Sequence, residues 1–444
     1  MNRIPAATCP PPRRATAARF WPGLVGGLTG AWLAVTLVKF GNPIILDQLI
    51  EPPKGFWEFV FDPWPVAWGY GMLAGLVGAG ATIARLPAGV PRALSALPAL
   101  WFAWQLAAAL HTVDLALTHA TLLHFGAAIV CFYFGLYVLG QVECLTGFWL
   151  CLLAGFAWVL WMGFGQHFGG LEATREMMYA QPNWSQLSPE QLRRIASNRI
   201  FSTLVYPNAL AGAILLFLPM LMAVTSRLTE RLPNIYRGVL VGLLGYAGLA
   251  CLYWSGSKSG WLIALGLALV CWFRQTFGRR LKWTVAAVVL LIGLAGFGIK
   301  FSGYFRKGAP SVTARADYWR AALQITREHP LFGTGPGTFS IPYKQIKAPE
   351  SEMTRLAHNN YLEQACDTGI VGFLTFCALV IGLLVRLYRK SAPGLIAFSV
   401  WLGLLGWALQ GLVEFGLYIP ALAWPAFLLF GWLLGTDLKS TRPN

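Results

Sequence analysis

Apolar runs long enough to cross a lipid bilayer recur along this chain, and they constrain its fold more than any other feature. A helix needs about 20 predominantly apolar residues to span the hydrocarbon core. Backbone polar groups in lipid must be satisfied within the spanning element, which favours helices. The sequence predicts twelve spanning helices, at residues 21–40, 65–84, 93–110, 118–138, 145–165, 207–225, 237–254, 259–274, 283–300, 366–385, 394–413 and 418–436.

Composition favours the same class of protein. Of the 444 residues, 56% are hydrophobic and only 12% are charged, and the mean hydropathy is +0.56. Soluble domains carry about 25% charged residues, so this chain has too few polar residues to cover two or three soluble domains. The eight cysteines form no CxxC pair and no zinc spacing, which argues against a disulfide scaffold. We therefore predict an all-α integral membrane protein with one membrane domain at 21–438, between cytoplasmic tails at 1–20 and 439–444.

The distribution of charge predicts the orientation in the membrane. If the N-terminus lies in the cytoplasm, the twelve spans place 18 of the 34 basic residues, but only three of the 18 acidic residues, on the cytoplasmic side. This bias is the positive-inside pattern of membrane proteins. The net charge of +16 is thus mostly a topology signal, and we predict no nucleic-acid partner. An even number of spans also returns the C-terminus to the cytoplasm.

Two connections are far longer than the others, at about 166–206 and 301–365, and both fall on the outer side. Structureless loops of this length are uncommon unless they are functional. Both contain helical signals: Ser188-Pro189 resembles a helix start, and Tyr318, Trp319, Ala322 and Ile325 recur at helical spacing,. The outer loops are therefore the predicted place of function.

Cationic side chains collect on this outer side. Arg315 and Arg320 lie in the second long loop, Arg199 ends the first, and Lys258 lies in a short connection at the membrane boundary. A positive cluster there suits an anionic headgroup, especially phosphate or pyrophosphate. The alternative is that Lys258 extends its ammonium to the interface while the loop charges are merely solvated.

Three other polar residues near the outer boundary have two interpretations each. His358 precedes the tenth span and is either a base that accepts a proton near neutral pH or a loop histidine bonded to the backbone. Glu363 either orients His358 or begins the helix near its positive end. Asn208 either caps the sixth span or contacts sugar. The six histidines form no metal motif, so we predict no metal and no cofactor.

Three blocks of sequence resemble the bacterial O-antigen ligase and O-antigen polymerase superfamily. The first reads RIFSTL and then YPNALA within 199–211, the second is SKSG at 257–260, and the third includes HPLFGTGPGTF at 329–339 and HNNYL at 358–362. The specific resemblance covers residues 199–385. The number of spans, their orientation and the long outer loop fit the family over the rest of the chain.

The resemblance implies an architecture, a reaction and roles for residues. Such proteins are metal-independent, inverting glycosyltransferases of the helical GT-C type. They take a glycan from undecaprenyl pyrophosphate at the periplasmic face of the inner membrane. By the resemblance, Arg199 and Arg315 hold the pyrophosphate, and His358 is the base or positions the acceptor. Lys258 stands where the family has arginine, which keeps the charge but loses the bidentate fork. Arg320, Asn359, Asn360 and Tyr361 are further substrate-binding or orienting candidates.

We therefore expect an O-antigen ligase-like enzyme that passes a lipid-linked glycan to lipid A–core, with membrane lipids around it. A polymerase of the same superfamily, which extends a lipid-linked or exopolysaccharide chain, differs only in its acceptor. A transporter or flippase of lipid-linked glycans would instead need ionisable residues or broken helices at mid-membrane. A structural assembly partner without activity is the remaining alternative.

Overall fold

The computed structural model describes residues 17–437, apart from residues 88, 173–174, 177–195, 307–308, 350 and 390–393. The predicted helix start at Ser188, most of the predicted tail at 1–20 and all of the tail at 439–444 lie outside the described residues. Every regular element in the described ranges is helical, and no strand is found among them.

Fifteen α-helices form the described part of the protein. They are α1 Ala17–Lys39, α2 Phe56–Phe61, α3 Val66–Ala81, α4 Arg92–Ala109, α5 Leu115–Tyr137, α6 Thr146–Gly165, α7 Pro207–Leu228, α8 Asn234–Trp254, α9 Lys258–Arg274, α10 Arg279–Arg306, α11 Pro310–Glu328, α12 Ser340–Ile346, α13 Asn360–Arg389, α14 Leu395–Gln410 and α15 Pro420–Asp437. Short 3-10 turns occur at Ile44–Leu49, Leu139–Gln141, Ser202–Leu204 and Gly416–Tyr418, and a π-helical turn at Gln166–Gly170.

All twelve apolar segments predicted from the sequence coincide with a helix, so their helical character is confirmed. Seven of these helices, α1, α5, α6, α7, α8, α10 and α13, are long and apolar enough to cross a membrane. Three more, α3, α14 and α15, are apolar but shorter. The chain is therefore an integral membrane protein. The total of twelve spans stays a prediction.

The long second connection is more helical than its length suggests. The helix predicted from residues 318–325 is confirmed as α11. α10 runs six residues past its predicted end because the helical aromatic series continues, with the ring of Phe297 lying 5.0 Å from Phe301 and 6.0 Å from Phe305. α13 begins six residues before its predicted start because Asn359 caps it. Short helices thus replace most of the expected loop.

The core of the protein surrounds α15, whose described side chains are almost all buried. α15 packs against α5 and also contacts α1, α7 and α14, while α1 packs along α6 and α14 packs along α7. Aromatic rings fill the centre, where Trp424 stacks on Trp32 with ring centroids 5.6 Å apart. Because α14 and α15 lie inside the bundle, the segment that joins them is held by helices from both halves of the chain.

Two glycines allow α5 and α15 to approach each other closely. A Cβ atom added at Gly431 would lie 1.9 Å from the carbonyl oxygen of Phe132, and one at Gly135 would lie 2.1 Å from that of Leu428. These distances are far below van der Waals contact, so any side chain at either position must move a helix backbone. Small residues at such crossings let membrane helices pack tightly.

Gly431→Ala is expected to lower the thermal stability of the purified protein. The added methyl group forces α15 away from α5, and overpacking of this kind costs about 1–3 kcal/mol. Thermal unfolding in detergent, followed by tryptophan fluorescence, measures the shift. Gly71→Ala in α3 is the matched control because no atom lies within 4 Å of its added Cβ. Equal melting temperatures for the two variants would contradict the close packing.

Candidate active site

Side chains from separate parts of the chain meet around the carboxylate of Glu414, in the segment between α14 and α15. Arg315 of α11 forms an ion pair and hydrogen bond with its Oε1. Asn208, at the second position of α7, donates to the same oxygen through Nδ2. His358, in the loop before α13, lies with Nδ1 3.2 Å from Oε2. The carboxylate therefore receives three side-chain hydrogen bonds while its side chain is only 7% exposed.

Arg199 joins this cluster through Asn208. Its Nη2 donates to Oδ1 of Asn208 at 2.7 Å, and its Nε donates to the carbonyl oxygen of Ser255 at 2.7 Å. Gly256, with φ +60°, lies against the guanidinium, where an added Cβ would come within 3.2 Å of Nε. Asn208 thus connects the two arginines by accepting from Arg199 and donating to the carboxylate that Arg315 binds.

Arg315 also fixes the backbone beside the carboxylate. Its Nε donates to the carbonyl oxygen of Val413 at 3.1 Å, and its Nη1 donates to that of Ser311 at 3.3 Å. The fork geometry of a guanidinium permits such simultaneous contacts. As a result, Arg315 ties α11 to the segment that carries Glu414, in addition to pairing with its charge.

The electrostatics of the cluster keep Glu414 ionised. Burial raises the pKa of Glu414, but the positive charge of Arg315 and the hydrogen bond from His358 outweigh burial, so the pKa lies below its usual value,. Burial lowers the pKa of Arg199, and the negative charge of Glu414 opposes that shift. An arginine stays protonated under such conditions. Two guanidinium groups therefore act on one carboxylate, and a positive charge remains in excess.

The conformation and environment of His358 define which ring nitrogen is available. An ionised carboxylate only accepts hydrogen bonds, so Nδ1 carries a proton toward Glu414, and in the neutral imidazole Nε2 is then the acceptor. The backbone of His358 is left-handed, with φ +53°, which is uncommon for a residue with a side chain. Its ring lies between Tyr318, at 5.8 Å and nearly parallel, and Phe415, at 4.7 Å and edge-on. The imidazole is thus held on three sides.

Lys258 adds a third positive charge beside the two arginines. It is the first residue of α9, which Ser257 caps by accepting the N–H of Gly260 at 3.2 Å. The ammonium nitrogen lies 3.8 Å from the ring centroid of Tyr304 in α10. It is also close enough to Arg199 and Arg315 for their charges to act on it. Lys258 therefore belongs to the cationic side of the cluster, with its ammonium over an aromatic ring.

Two of the residues suggested by the sequence lie away from this cluster. Arg320, on the same helix as Arg315, has a side chain that is 78% exposed and pairs with Asp317 at 3.0 Å. Tyr361 donates its hydroxyl to the carbonyl oxygen of Ala408 at 3.1 Å and so joins α13 to α14. Neither side chain contacts Glu414 in any hydrogen bond or ion pair that the structure describes.

Three further candidates support the backbone around His358. Asn359 caps α13 with its side-chain oxygen. Asn360 donates its backbone N–H to the carbonyl oxygen of Gly411. Glu363 is fully buried and accepts the N–H of Ala357, the residue before His358. These residues reach the site through the backbone rather than by contact with the Glu414 carboxylate.

The glycine-rich stretch at 333–337, which alone indicates only a tight turn, lies on the start of α13. The N–H of Gly335 donates to the carbonyl oxygen of Asp367 at 2.8 Å, and that of Gly337 donates to Oδ2 of the same residue at 2.7 Å. A Cβ added at Gly333 would lie 2.3 Å from the backbone of Asp367. The stretch therefore fixes the position of α13, which begins two residues after His358.

Glu414 is the residue that reasoning from the sequence alone does not select. It lies near the end of a predicted span, where an acidic residue is unremarkable. The available signal is its isolation, since Val413 and Phe415 flank it and the next acidic residue along the chain is Asp437. Among the described residues, no group of three or more His, Cys, Asp or Glu side chains is placed to hold a metal ion. The absence of a metal cofactor stays a prediction.

Comparison with known proteins identifies a part of the chain that carries three of the six side chains of this site. Residues 243–377 match the family model described as O-antigen ligase. This range contains Lys258, Arg315 and His358, whereas Arg199, Asn208 and Glu414 lie outside it. A protein of Haemophilus influenzae with the description uncharacterized protein is 29% identical over 152 residues.

That alignment covers 29% of this chain and 38% of the relative. The chain thus matches well under two thirds of the relative's length. The family match, in contrast, covers the later part of α8, all of α9 to α12 and the first part of α13. The match of residues 243–377 to the O-antigen ligase model supports the resemblance of this chain to the O-antigen ligase and O-antigen polymerase superfamily.

Proposed function

We propose that this protein is an O-antigen ligase-like, inverting glycosyltransferase. It transfers a glycan from undecaprenyl pyrophosphate to a lipid A–core acceptor, without a metal or nucleotide. The observation that carries the proposal is the arrangement around Glu414, where one carboxylate orients a histidine and is itself bound by cationic groups. The family match supports a ligase-like or polymerase-like enzyme. The choice of ligase is the finer part of the proposal.

The cations serve the leaving group. When the bond between the anomeric carbon and the pyrophosphate oxygen breaks, the lipid pyrophosphate leaves with the electron pair and gains negative charge. Arg199, Arg315 and Lys258 carry three positive charges, whereas Glu414 carries one negative charge. The excess positive charge favours this departure, because preorganised charges in a partly desolvated site stabilise developing charge. No ATP is needed, since the donor is already activated.

His358 activates the acceptor. As the acceptor hydroxyl oxygen attacks the anomeric carbon, its proton passes to Nε2 of His358, which then becomes an imidazolium. Glu414 accepts the hydrogen bond of Nδ1–H and stabilises that positive charge, while Tyr318 and Phe415 hold the ring. General-base catalysis of this kind contributes about 10²–10⁴-fold to a rate. A single displacement from the side opposite the pyrophosphate inverts the anomeric configuration.

The proposed location is the inner membrane of a bacterium, with both termini in the cytoplasm and the site in the periplasm. The charge bias of the short connections supports this orientation. Lys258 and the start of α13 lie on the same side as the second long connection in the twelve-span topology. Labelling of single cysteines introduced at exposed positions of α11, by a reagent that does not cross the membrane, tests the orientation.

A reconstitution experiment tests the function. The purified protein is placed in vesicles with an undecaprenyl-pyrophosphate glycan, with or without lipid A–core, and products are resolved by mass. Core-linked glycan with inverted anomeric configuration is the expected product. Longer lipid-linked chains without core would make the protein a polymerase. Movement of the donor across the bilayer without any transfer would contradict an enzyme and favour a flippase.

Arg315→Ala and Arg320→Ala form a matched pair within α11. We expect Arg315→Ala to reduce transfer by at least about 100-fold, because it removes a charge that binds the donor and orients Glu414. Arg320→Ala is expected to change the rate less than about twofold, since an exposed ion pair contributes little. Initial rates of core-linked product measure both. Equal losses in the two variants would place the pyrophosphate elsewhere along α11.

A further inference from the structure

Two asparagines follow His358 directly, and their contacts differ in kind. Asn359 acts locally: its Oδ1 accepts the N–H groups of Tyr361 at 3.0 Å and Leu362 at 3.1 Å. These are the first orphan donors of α13, so Asn359 is an ordinary helix cap. Its side chain makes no contact with the segment that carries Glu414 among the hydrogen bonds of the described chain.

Asn360 instead contacts a distant part of the chain at two points. Its backbone N–H donates to the carbonyl oxygen of Gly411 at 2.7 Å. Its Oδ1 accepts the N–H of Leu417 at 3.2 Å. Asn360 is 2% exposed, so both bonds are shielded from water. We define residues 411–417 as the Glu414 segment, because Glu414 lies midway between these two points.

The Glu414 segment has little regular structure of its own. α14 ends at Gln410 and the 3-10 turn begins at Gly416. Its other ties to the site include Arg315, through the carbonyl oxygen of Val413 and the Glu414 carboxylate. Asn208 and His358 also hydrogen-bond to that carboxylate. Asn360 therefore holds both ends of the Glu414 segment. Only one residue, Asn359, separates Asn360 from His358 along the chain.

We infer that Asn360 is a positioning residue that keeps the Glu414 carboxylate in register with the His358 imidazole. This inference rests on the proposed function. The two groups come from segments 56 residues apart, and Asn360 is bonded to one segment while it follows the other covalently. A misplacement of about 1 Å in a catalytic group can cost about 100-fold in rate, so a tether at this point has a functional consequence.

Hydrogen exchange tests the tether without reference to activity. In Asn360→Ala, peptides that cover 411–419 should exchange faster than in the wild type, with the Leu417 amide as the most affected position. In Asn359→Ala, the matched control, exchange should increase instead at the amides of Tyr361 and Leu362. Protection of the Leu417 amide in Asn360→Ala at the wild-type level would overturn the inference.

Kinetics test the consequence for catalysis. Asn360→Ala should lower kcat by about 10–100-fold with the KM for the lipid-linked donor unchanged, because the cations that serve the pyrophosphate are left intact. In a Glu414→Gln background, Asn360→Ala should lower kcat less than about threefold further, since residues that act through one group are not additive. Asn359→Ala should lower kcat by the same factor in the wild-type and in the Glu414→Gln background. If Asn360→Ala also lowered kcat by the same factor in both backgrounds, the inference would be overturned.

A second variant perturbs the same tether from the other side. A Cβ added at Gly411 would lie 2.7 Å from Nδ2 of Asn360, so Gly411→Ala should displace the segment while Asn360 itself is kept. The same loss of kcat and the same faster exchange at 411–419 are expected. If the wild-type protein transfers no glycan, the proposed function is contradicted. Hydrogen exchange at the Leu417 amide would still show whether Asn360 holds the Glu414 segment.

Discussion

His358→Asn is expected to lower glycan transfer by about 10²–10⁴-fold, the contribution of a general base. Asparagine suits this test because it tolerates the left-handed backbone that His358 adopts, with φ +53°,. The substitution thus removes the proton acceptor while the loop keeps its shape. Initial rates of core-linked glycan, measured at saturating donor, give the effect on kcat.

The control for this variant is His119→Asn, which changes an exposed histidine on α5. We expect His119→Asn to transfer glycan at the wild-type rate. His358→Asn should lower the free energy of unfolding by no more than about 3 kcal/mol, the usual range for a single substitution, since it removes the ring contacts with Tyr318 and Phe415. Wild-type kcat in His358→Asn would remove this residue from the mechanism and leave the proposed base without a candidate.

Glu414→Gln is expected to have the second large effect, and it acts on stability and activity together. The substitution leaves the partly buried Arg315 and Arg199 without a compensating negative charge. Removal of one partner of a buried ion pair costs about 3–5 kcal/mol. Transfer should fall as well, because the imidazolium of His358 loses its stabilising partner. Chemical denaturation and initial rates measure the two effects separately.

The double variant Arg315→Met/Glu414→Gln separates these two roles. Removal of both charges should restore part of the lost stability, since replacing a buried ion pair by apolar groups is often close to neutral. Transfer should stay low, because both the donor-binding charge and the partner of His358 are gone. Recovery of activity together with stability would show that the pair only holds the fold.

The pH dependence of stability tests the charge state of Glu414 in the folded protein. Its pKa in the folded protein lies below the ordinary value of 4.5, so ionised Glu414 stabilises the fold at neutral pH. This contribution is fully present above the unfolded-state pKa and is lost as the pH falls through the lower folded-state value. Glu414→Gln should therefore show a weaker loss of stability on acidification below about pH 4.5.

Much of the fold is predictable from local features of the sequence. The apolar run at 283–300 predicts α10, and the helical spacing at 318–325 predicts α11, because each pattern depends on neighbouring residues along one helix. Arg199, Arg315 and His358 are also predictable as candidate site residues, through motifs that resemble a known family. The start of α13 next to His358 is harder to predict, because the cap by Asn359 begins this helix earlier than hydropathy indicates.

The tertiary structure separates residues that the sequence treats alike. Arg315 and Arg320 are both cations of one helix, yet only Arg315 faces Glu414, because α11 presents one side to the bundle and the other to solvent. Asn359 and Asn360 are adjacent and identical, yet one caps its own helix and the other binds a distant segment. Side-chain direction around a helix, combined with what packs beside it, decides each case.

The sequence by itself indicated that this chain forms apolar helices of the kind that cross a membrane and that a group of cations lies near one predicted membrane boundary, since both follow from local composition. Only the tertiary structure decided that Glu414 unites the site. Arg315 and Asn208 reach it across 99 and 206 residues. Contacts at such separations depend on how the helices pack, and buried α15, with α14 beside it, places the segment that carries Glu414.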